Sequence, residues 1–324
     1  MKSQLSAGRG YGRYAPSPTG DLHLGNLRTA LLAWAFARNA GLGFLMRMED
    51  IDERSRPHFV TRQLEDLEAL GIDWDGPVIF QSQNRERYED VFDGLRARGE
   101  LYECYCTRRE LAAAITSAPH MPLGAYAGTC RNLSESEREA KRQEIAALGR
   151  EVAFRLDGHG KRMCVHDAIA GEYEGVVDDF IVRRGDGVFS YNFVSVIDDG
   201  IDGVCQIVRG DDLLSSAPRQ AYLASLLDFE QAEYIHVPMV LNSEGVRLSK
   251  RDGAVTMRAL AEYGWSAGDV VEFLGRSFGF DGVRDASEFA ECVAEVGVRG
   301  IAGEAFIFEP EGWARQFLPS RGLR

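Results

Sequence analysis

Between positions 12 and 26 the chain gathers three glycines, two prolines, Ser17, Thr19 and His23 into one connection. An amphipathic run follows, with Leu27, Ala30, Leu31, Trp34 and Ala37 at helical spacing and Gly41 where a C-cap is expected. A glycine-bearing turn feeding a helix lets backbone approach an anion, and the unpaired N–H groups and positive dipole end of the helix favour phosphate. Asn26 is the expected N-cap, and His23, beside the turn glycine Gly25, would aim an imidazole at the same anion. Alone, such a turn also reads as a rigid loop with a structural histidine. Much later a second basic turn sets Ser249 and Lys250 between Arg247 and Arg251. Most such lysines are simply solvated. A mobile cation over a phosphate site would instead stabilise charge developing on the phosphates.

Two further sets of residues carry candidate chemistry. Glu49 ends the apolar segment 44–48, and strand C-termini are where open α/β sheets bind ligands. The plain alternative is a solvated carboxylate in the charged run 49–56. Cys104 and Cys106 are one residue apart, with Tyr126 and Cys130 about two dozen residues on. Three thiolates so spaced can converge on a tetrahedral zinc ion. On spacing alone, three structural cysteines read equally well. No base or water-activating group lies nearby, so a metal there would be structural. Cys164, Cys205 and Cys292 read as small buried apolar residues.

The two basic turns together resemble the paired HIGH and KMSKS signatures of class I aminoacyl-tRNA synthetases, with Arg247 standing where the second motif has its first lysine. The segments 13–20 and 47–52 narrow the resemblance to the glutamyl branch. Cys-x-Cys with Tyr-x-x-x-Cys is similar to the zinc site of glutamyl-queuosine tRNA(Asp) synthetases. The resemblance covers residues 13–260 strongly and the tail weakly. It implies that Glu49 holds the α-ammonium of L-glutamate, and that Arg13, Ser17, Tyr191 and Arg209 line the same pocket. Two arginines suit a substrate with two carboxylates better than glutamine. It further implies that His23, Gly25, Asn26, Ser249 and Lys250 bind ATP with Mg²⁺, His23 and Lys250 serving catalysis. Cys104, Cys106, Tyr126 and Cys130 would hold a structural Zn²⁺. The substrate carboxylate would attack the α-phosphorus, giving an acyl-adenylate and pyrophosphate without a protein nucleophile. Only residues 252–324 follow the second basic turn, too few for an anticodon-binding domain. The expected acceptor is therefore the wobble queuosine base of tRNA(Asp). A shortened glutamyl-tRNA synthetase charging tRNA(Glu), or a non-catalytic RNA-binding paralogue, are the rivals. Intact Arg13, His23, Glu49, Tyr191, Arg209 and Lys250 count against the second.

The elements that must position these residues form an α/β pattern: a Rossmann-like nucleotide-binding domain, an inserted zinc-binding α+β subdomain and a short helical C-terminal segment. Helices are expected at 57–70 and 84–98. Composition shifts near Leu101; 102–106 is β-prone, 134–148 helical, and 152–156, 163–165 and 175–182 strand-like. Apolar strands are expected at 191–193 and 204–208, and helices at 215–227, 256–263 and 267–274, with Ser266 capping the last. The division is thus 1–103 and 191–255 for two halves of a catalytic domain, 104–190 for the insertion and 256–324 for a stem-contact-like tail.

Composition bounds the partners. A chain of 324 residues can bury a sizeable core. Its net charge of −13 argues against a broad non-specific nucleic-acid surface and leaves room for a local basic patch. Six cysteines are too sparse for a disulfide scaffold. No apolar run approaches the ~20 residues of a membrane span, and residues 1–10 lack the apolar core of a signal peptide. A cytoplasmic monomer with no membrane contact is expected.

Overall fold

The computed structural model describes residues 10–107, 110, 126, 128–242, 245, 255–301 and 305–307. Strand β1 (Tyr11–Tyr14) leads through the proline-containing turn into helix α1 (Leu24–Asn39) and strand β2 (Gly43–Met48). Helix α2 (Pro57–Ala69), strand β3 (Ile79–Phe80) and helix α3 (Arg85–Ala97) complete the first half. The second half returns with α5 (Tyr191–Asp202), β9 (Val204–Gly210), α6 (Ala217–Leu226) and β10 (Glu233–Val237). The intervening segment contributes β4 (Leu101–Cys104), α4 (Glu135–Ala147), β5 (Ala153–Leu156), β6 (Arg162–Asp167), β7 (Gly171–Val176) and β8 (Ile181–Arg183). After β11 (Val240–Leu241) come α7 (Met257–Glu262), α8 (Ala267–Arg276), α9 (Ala286–Ile301) and β12 (Phe306–Ile307).

The main sheet runs β3-β2-β1-β9-β10-β6-β7, parallel except for the β6–β7 hairpin, which joins it at β10. Strands β4, β5 and β8 form a separate antiparallel sheet. Successive elements pass from β1 outward to β2 and β3, then from β9 outward to β10. The order therefore reverses between β1 and β9, where doubly wound sheets open a ligand crevice. Parallel strands are covered on both faces, so β2 is buried along most of its length. Helix α1 is apolar on nearly every side because it lies between this sheet and α9, where Asn39 donates to the Ala290 carbonyl at 2.9 Å. Gly12 permits the close approach of β1: a Cβ there would stand 2.7 Å from that of Ala37. Among the described residues no helix is long and apolar enough to cross a membrane.

Four local expectations fail, one of them on burial: Cys164 is exposed and Cys205 and Cys292 are half-buried, where buried residues were expected. Residues 191–193 do not form a strand; they open helix α5, which ends at the left-handed Gly203. Phe193, Val194, Ser195, Val196 and Ile197 are all buried, and so short an apolar run reads equally as a strand or a buried helix segment. The strand expected over 175–182 is two strands, because the buried carboxylates of Asp178 and Asp179 carry the chain from one sheet to the other. Asn26 is not the N-cap of α1. His23 is, and Asn26 at the third helical position completes a capping box with it.

Candidate active site

At the point where the strand order reverses, a cleft of about 680 Å³ opens over the C-terminal ends of β1, β2 and β9. Arg13, Ser17, His23, Gly25, Asn26, Glu49, Tyr191 and Arg209 all line it. At the end of the cleft beside the start of α1, His23 Nδ1 accepts the Asn26 N–H at 3.4 Å, while Asn26 Oδ1 accepts the His23 N–H at 3.3 Å. An accepting Nδ1 leaves the proton of the neutral ring on Nε2. The Leu24 N–H goes to Val255 and the Asn26 N–H back to His23, so Gly25 keeps the first-turn donor that an incoming anion can take. A Cβ on Gly25 would stand 3.1 Å from the His23 ring. Val255 and Thr256, which follow the second basic turn in sequence, lie against this helix start: His23 bridges to Thr256.

The centre of the cleft is held by charge. Arg13 donates to Asp199 through Nε at 3.3 Å and Nη2 at 3.5 Å, and to the Val208 carbonyl at 3.4 Å. These bonds aim the guanidinium and leave one N–H on each Nη for a ligand. Arg47, fully buried in β2, reaches Asp199 at 2.6 Å and lies 3.9 and 3.8 Å from Asp198 and Asp202. Burial pushes the Asp199 carboxyl up, but Arg13 and Arg47 outweigh it and hold it below its ordinary value. Glu49, just beyond β2, accepts from Ser17 at 3.3 Å and from Ser195 of α5 at 3.4 Å. Its surroundings act the other way. Burial raises its pKa from 4.5 to about 7, with Arg47 and Arg13 opposing and Asp199 adding to the rise. The side chain keeps partial access to solvent through the cleft, which moderates that burial cost. The cleft thus holds a carboxyl whose ionised form a neighbouring cation would favour.

Arg209 stands at the other wall. Its Nε donates to His236 Nε2 at 2.9 Å and its Nη1 to Gln220 Oε1 at 2.6 Å. Longer bonds run to the Tyr191 hydroxyl at 3.5 Å and the Leu213 carbonyl at 3.4 Å. The long bonds are the ones an incoming carboxylate can replace. Gln63 of α2 ties down the remaining wall, donating to the Gly20 carbonyl at 2.7 Å and the Ser17 carbonyl at 3.2 Å.

Away from the cleft, the sulfurs of Cys104, Cys106 and Cys130 lie within 4.8 Å of one another. The Tyr126 hydroxyl is 3.7 Å from Cys104 and 3.4 Å from Cys106, and accepts the Cys130 N–H at 2.9 Å. Arg155 donates to Cys104 at 3.2 Å and stacks on the Tyr126 ring, 3.7 Å from its centroid. Hydrogen bonds from Cys106 and Cys130 hold the Cys104 thiol well below its ordinary range, with Arg155 adding to the effect. Three converging thiols and a phenol oxygen are a donor set that fits a tetrahedral divalent metal, and Arg155 beside Cys104 offsets the charge of its thiolate.

A family profile described as tRNA synthetases class I (E and Q), catalytic domain, matches residues 11–299. The chain belongs to that family. A glutamyl-Q tRNA(Asp) synthetase from Nocardia farcinica is 56% identical over 270 residues, 83% of this chain and 85% of its own. A glutamate–tRNA ligase from Pelobacter propionicus is 37% identical, across 92% of this chain but 63% of its own length. The crystal structure of a glutamate tRNA ligase from Elizabethkingia meningosepticum, in complex with its amino acid, superposes with a TM-score of 0.75. It covers 95% of this chain and 69% of that one at 24% identity, a likeness of fold.

For a class I synthetase of this kind, the cleft gathers every expected substrate and phosphate residue within the described part of the chain. Ser249 and Lys250 lie outside the described residues. Among the residues that shape the cleft and were not anticipated are Arg47, Asp199, Gln220, His236 and Asp167. Two carried a signal. An arginine inside the apolar run 44–48 and the paired acids 198–199 inside another apolar run each demand a buried partner of opposite charge. Gln220, His236 and Asp167 lie in separate elements and carry no such mark.

Proposed function

We propose that this synthetase activates L-glutamate with ATP and transfers it to the queuosine base at the wobble position of tRNA(Asp). What carries the activation half is the charge layout of one cleft: Glu49 on one side, Arg13 and Arg209 on the others. A substrate with one ammonium and two carboxylates needs that set. In this reading Glu49 takes the α-ammonium, with Ser17 and Ser195 fixing its carboxylate. Arg13, Arg209 and Tyr191 take the two carboxylates. Both cleft walls come from the segments 1–103 and 191–255, which supports reading them as one catalytic domain.

The Gly25 N–H, the dipole of α1 and His23 Nε2 would bind the phosphate chain, with Asn26 holding His23 in place. Ser249 and Lys250 would stabilise charge on the α-phosphate and departing pyrophosphate, a contribution of ~3–4 kcal/mol per group. Mg²⁺, when bound to the phosphates, supplies further charge neutralisation. The chain's own part is to orient the glutamate carboxylate in line with the α-phosphorus and to exclude competing water. Zn²⁺, when bound by Cys104, Cys106, Tyr126 and Cys130, would supply a structural cross-link. The acceptor half rests on the 56% identity to a relative named glutamyl-Q tRNA(Asp) synthetase. A cytoplasmic monomer is part of the same proposal.

The test is transfer of labelled glutamate, with ATP and Mg²⁺, to total tRNA from cells with and without queuosine. Label confined to queuosine-containing tRNA(Asp) is expected. Label on tRNA(Glu) irrespective of queuosine would make the chain a tRNA-charging enzyme. Absence of both label and glutamate-dependent pyrophosphate exchange would overturn activation itself.

A further inference from the structure

Behind Arg209 lies a buried chain of polar groups that does not line the cleft. Arg209 and His236 are register partners on the neighbouring parallel strands β9 and β10, so their side chains leave the same face of the sheet. Asp167 ends β6 and pairs with β10 at Tyr234. Its Oδ2 accepts both the backbone N–H of His236 at 2.9 Å and His236 Nδ1 at 2.7 Å. Its Oδ1 accepts the N–H groups of Ile169 and Ala170 at 2.9 and 2.7 Å. Four donors on one fully buried carboxylate keep it ionised against the cost of burial. An ionised Asp167 can only accept, so Nδ1 of His236 must carry the proton. Its Nε2 is then a bare acceptor, and that is the atom Arg209 Nε–H meets at 2.9 Å. With Gln220 accepting from Nη1, the guanidinium is fixed at two points, and its remaining edge faces the cleft.

We propose that His236 and Asp167 are positioning residues for the substrate carboxylate: Asp167 sets the tautomer of His236, and His236 sets the plane of Arg209. The β6–β7 hairpin lies in the segment that separates the halves of the catalytic domain, so through Asp167 that segment reaches the amino-acid pocket without touching the ligand. The inference rests on the glutamate reading of the cleft. A purely structural network predicts loss of stability without selective loss of one substrate. A positioning network predicts the reverse.

The test compares His236→Gln, whose Oε1 can stand where Nε2 does, with His236→Asn, which is polar but too short to reach Arg209 Nε. Steady-state pyrophosphate exchange and calorimetric glutamate binding are measured on the full chain, with tRNA present. His236→Asn is expected to raise the glutamate KM about tenfold or more. The ATP KM, kcat and Tm should stay near wild type, and His236→Gln should recover most of the loss. Asp167→Asn should resemble His236→Asn, because an amide N–H facing Nδ1 turns the imidazole into the wrong tautomer. In an Arg209→Ala background His236→Asn should add nothing. Equal glutamate KM in wild type and His236→Asn would overturn the positioning role, as would His236→Gln behaving no better than His236→Asn. If the asparagine variant fails to fold, Asp167→Asn against His236→Gln decides: a raised glutamate KM in the first with a near-wild-type value in the second supports the role, and equal glutamate KM in the two overturns it. Absence of glutamate binding by the wild-type protein would overturn the glutamate reading and this role with it.

Discussion

Glu49→Gln should stabilise the ligand-free fold while abolishing glutamate binding. Burial raises the Glu49 pKa from 4.5 to about 7, so the folded protein holds this proton more tightly than the unfolded chain does. The sign follows. A carboxyl with a raised folded pKa contributes its full stability below the unfolded value, and that contribution is lost as pH climbs from 4.5 to about 7. At about 1.4 kcal/mol per pH unit, the ceiling on the loss is about 3 kcal/mol. Glu49 opens onto the cleft, and solvent there brings the expected figure to roughly 1–2 kcal/mol. A glutamine keeps both serine contacts and has nothing to ionise. Urea unfolding of both proteins without ligand, at several pH values between about 4.5 and 8, reads the difference. The curves should converge at the acid end and separate toward neutrality, the variant being the more stable. A variant no more stable than wild type near pH 8, or a gap that does not change with pH, would refute the argument. The ligand side has its own sign: only ionised Glu49 pairs with an ammonium, so the wild-type glutamate KM should rise as pH falls below about 7.

Three further outcomes are expected. Lys250→Ala should lower kcat for pyrophosphate exchange by about 10²–10³-fold with little change in glutamate binding, read by steady-state kinetics and calorimetry. The protein as purified should carry one zinc per chain by elemental analysis; Cys130→Ser should lose it, and chelation of the wild type should lower Tm. Gly12→Ala should destabilise by about 1–3 kcal/mol in urea unfolding, because the new Cβ would stand 2.7 Å from that of Ala37 and α1 would be pushed off β1.

Much of the site was legible because it lies in contiguous stretches. The turn ending at His23, Gly25 and Asn26, the acid after β2 and the Cys-x-Cys pair each sit within a few residues of one another. The sequence missed the identity of the cap. Residue preference favours Asn26 over His23 as an N-cap, whereas the folded turn lets each side chain take the other's backbone N–H. The helix at Tyr191–Asp202 was missed because the apolar stretch 193–197 is short, and so short a buried run is not told from a strand by its pattern alone. That miss hid Asp199, which is placed beneath Arg13 and Arg47 only when the segment is helical.

By itself the sequence determined the α/β class, the charged residues that come to line the cleft and the cysteine set, since these follow from local patterns and from residue chemistry. Only the tertiary structure decided which donors remain for a ligand. Arg13 spends three N–H groups on Asp199 and Val208, and Arg209 is held through His236 by an aspartate 42 positions before it in the chain. Hydrogen-bond direction, tautomer and the raised pKa of Glu49 depend on which groups the sheet brings side by side. Strand pairing between segments far apart in sequence sets that, and no local pattern records it.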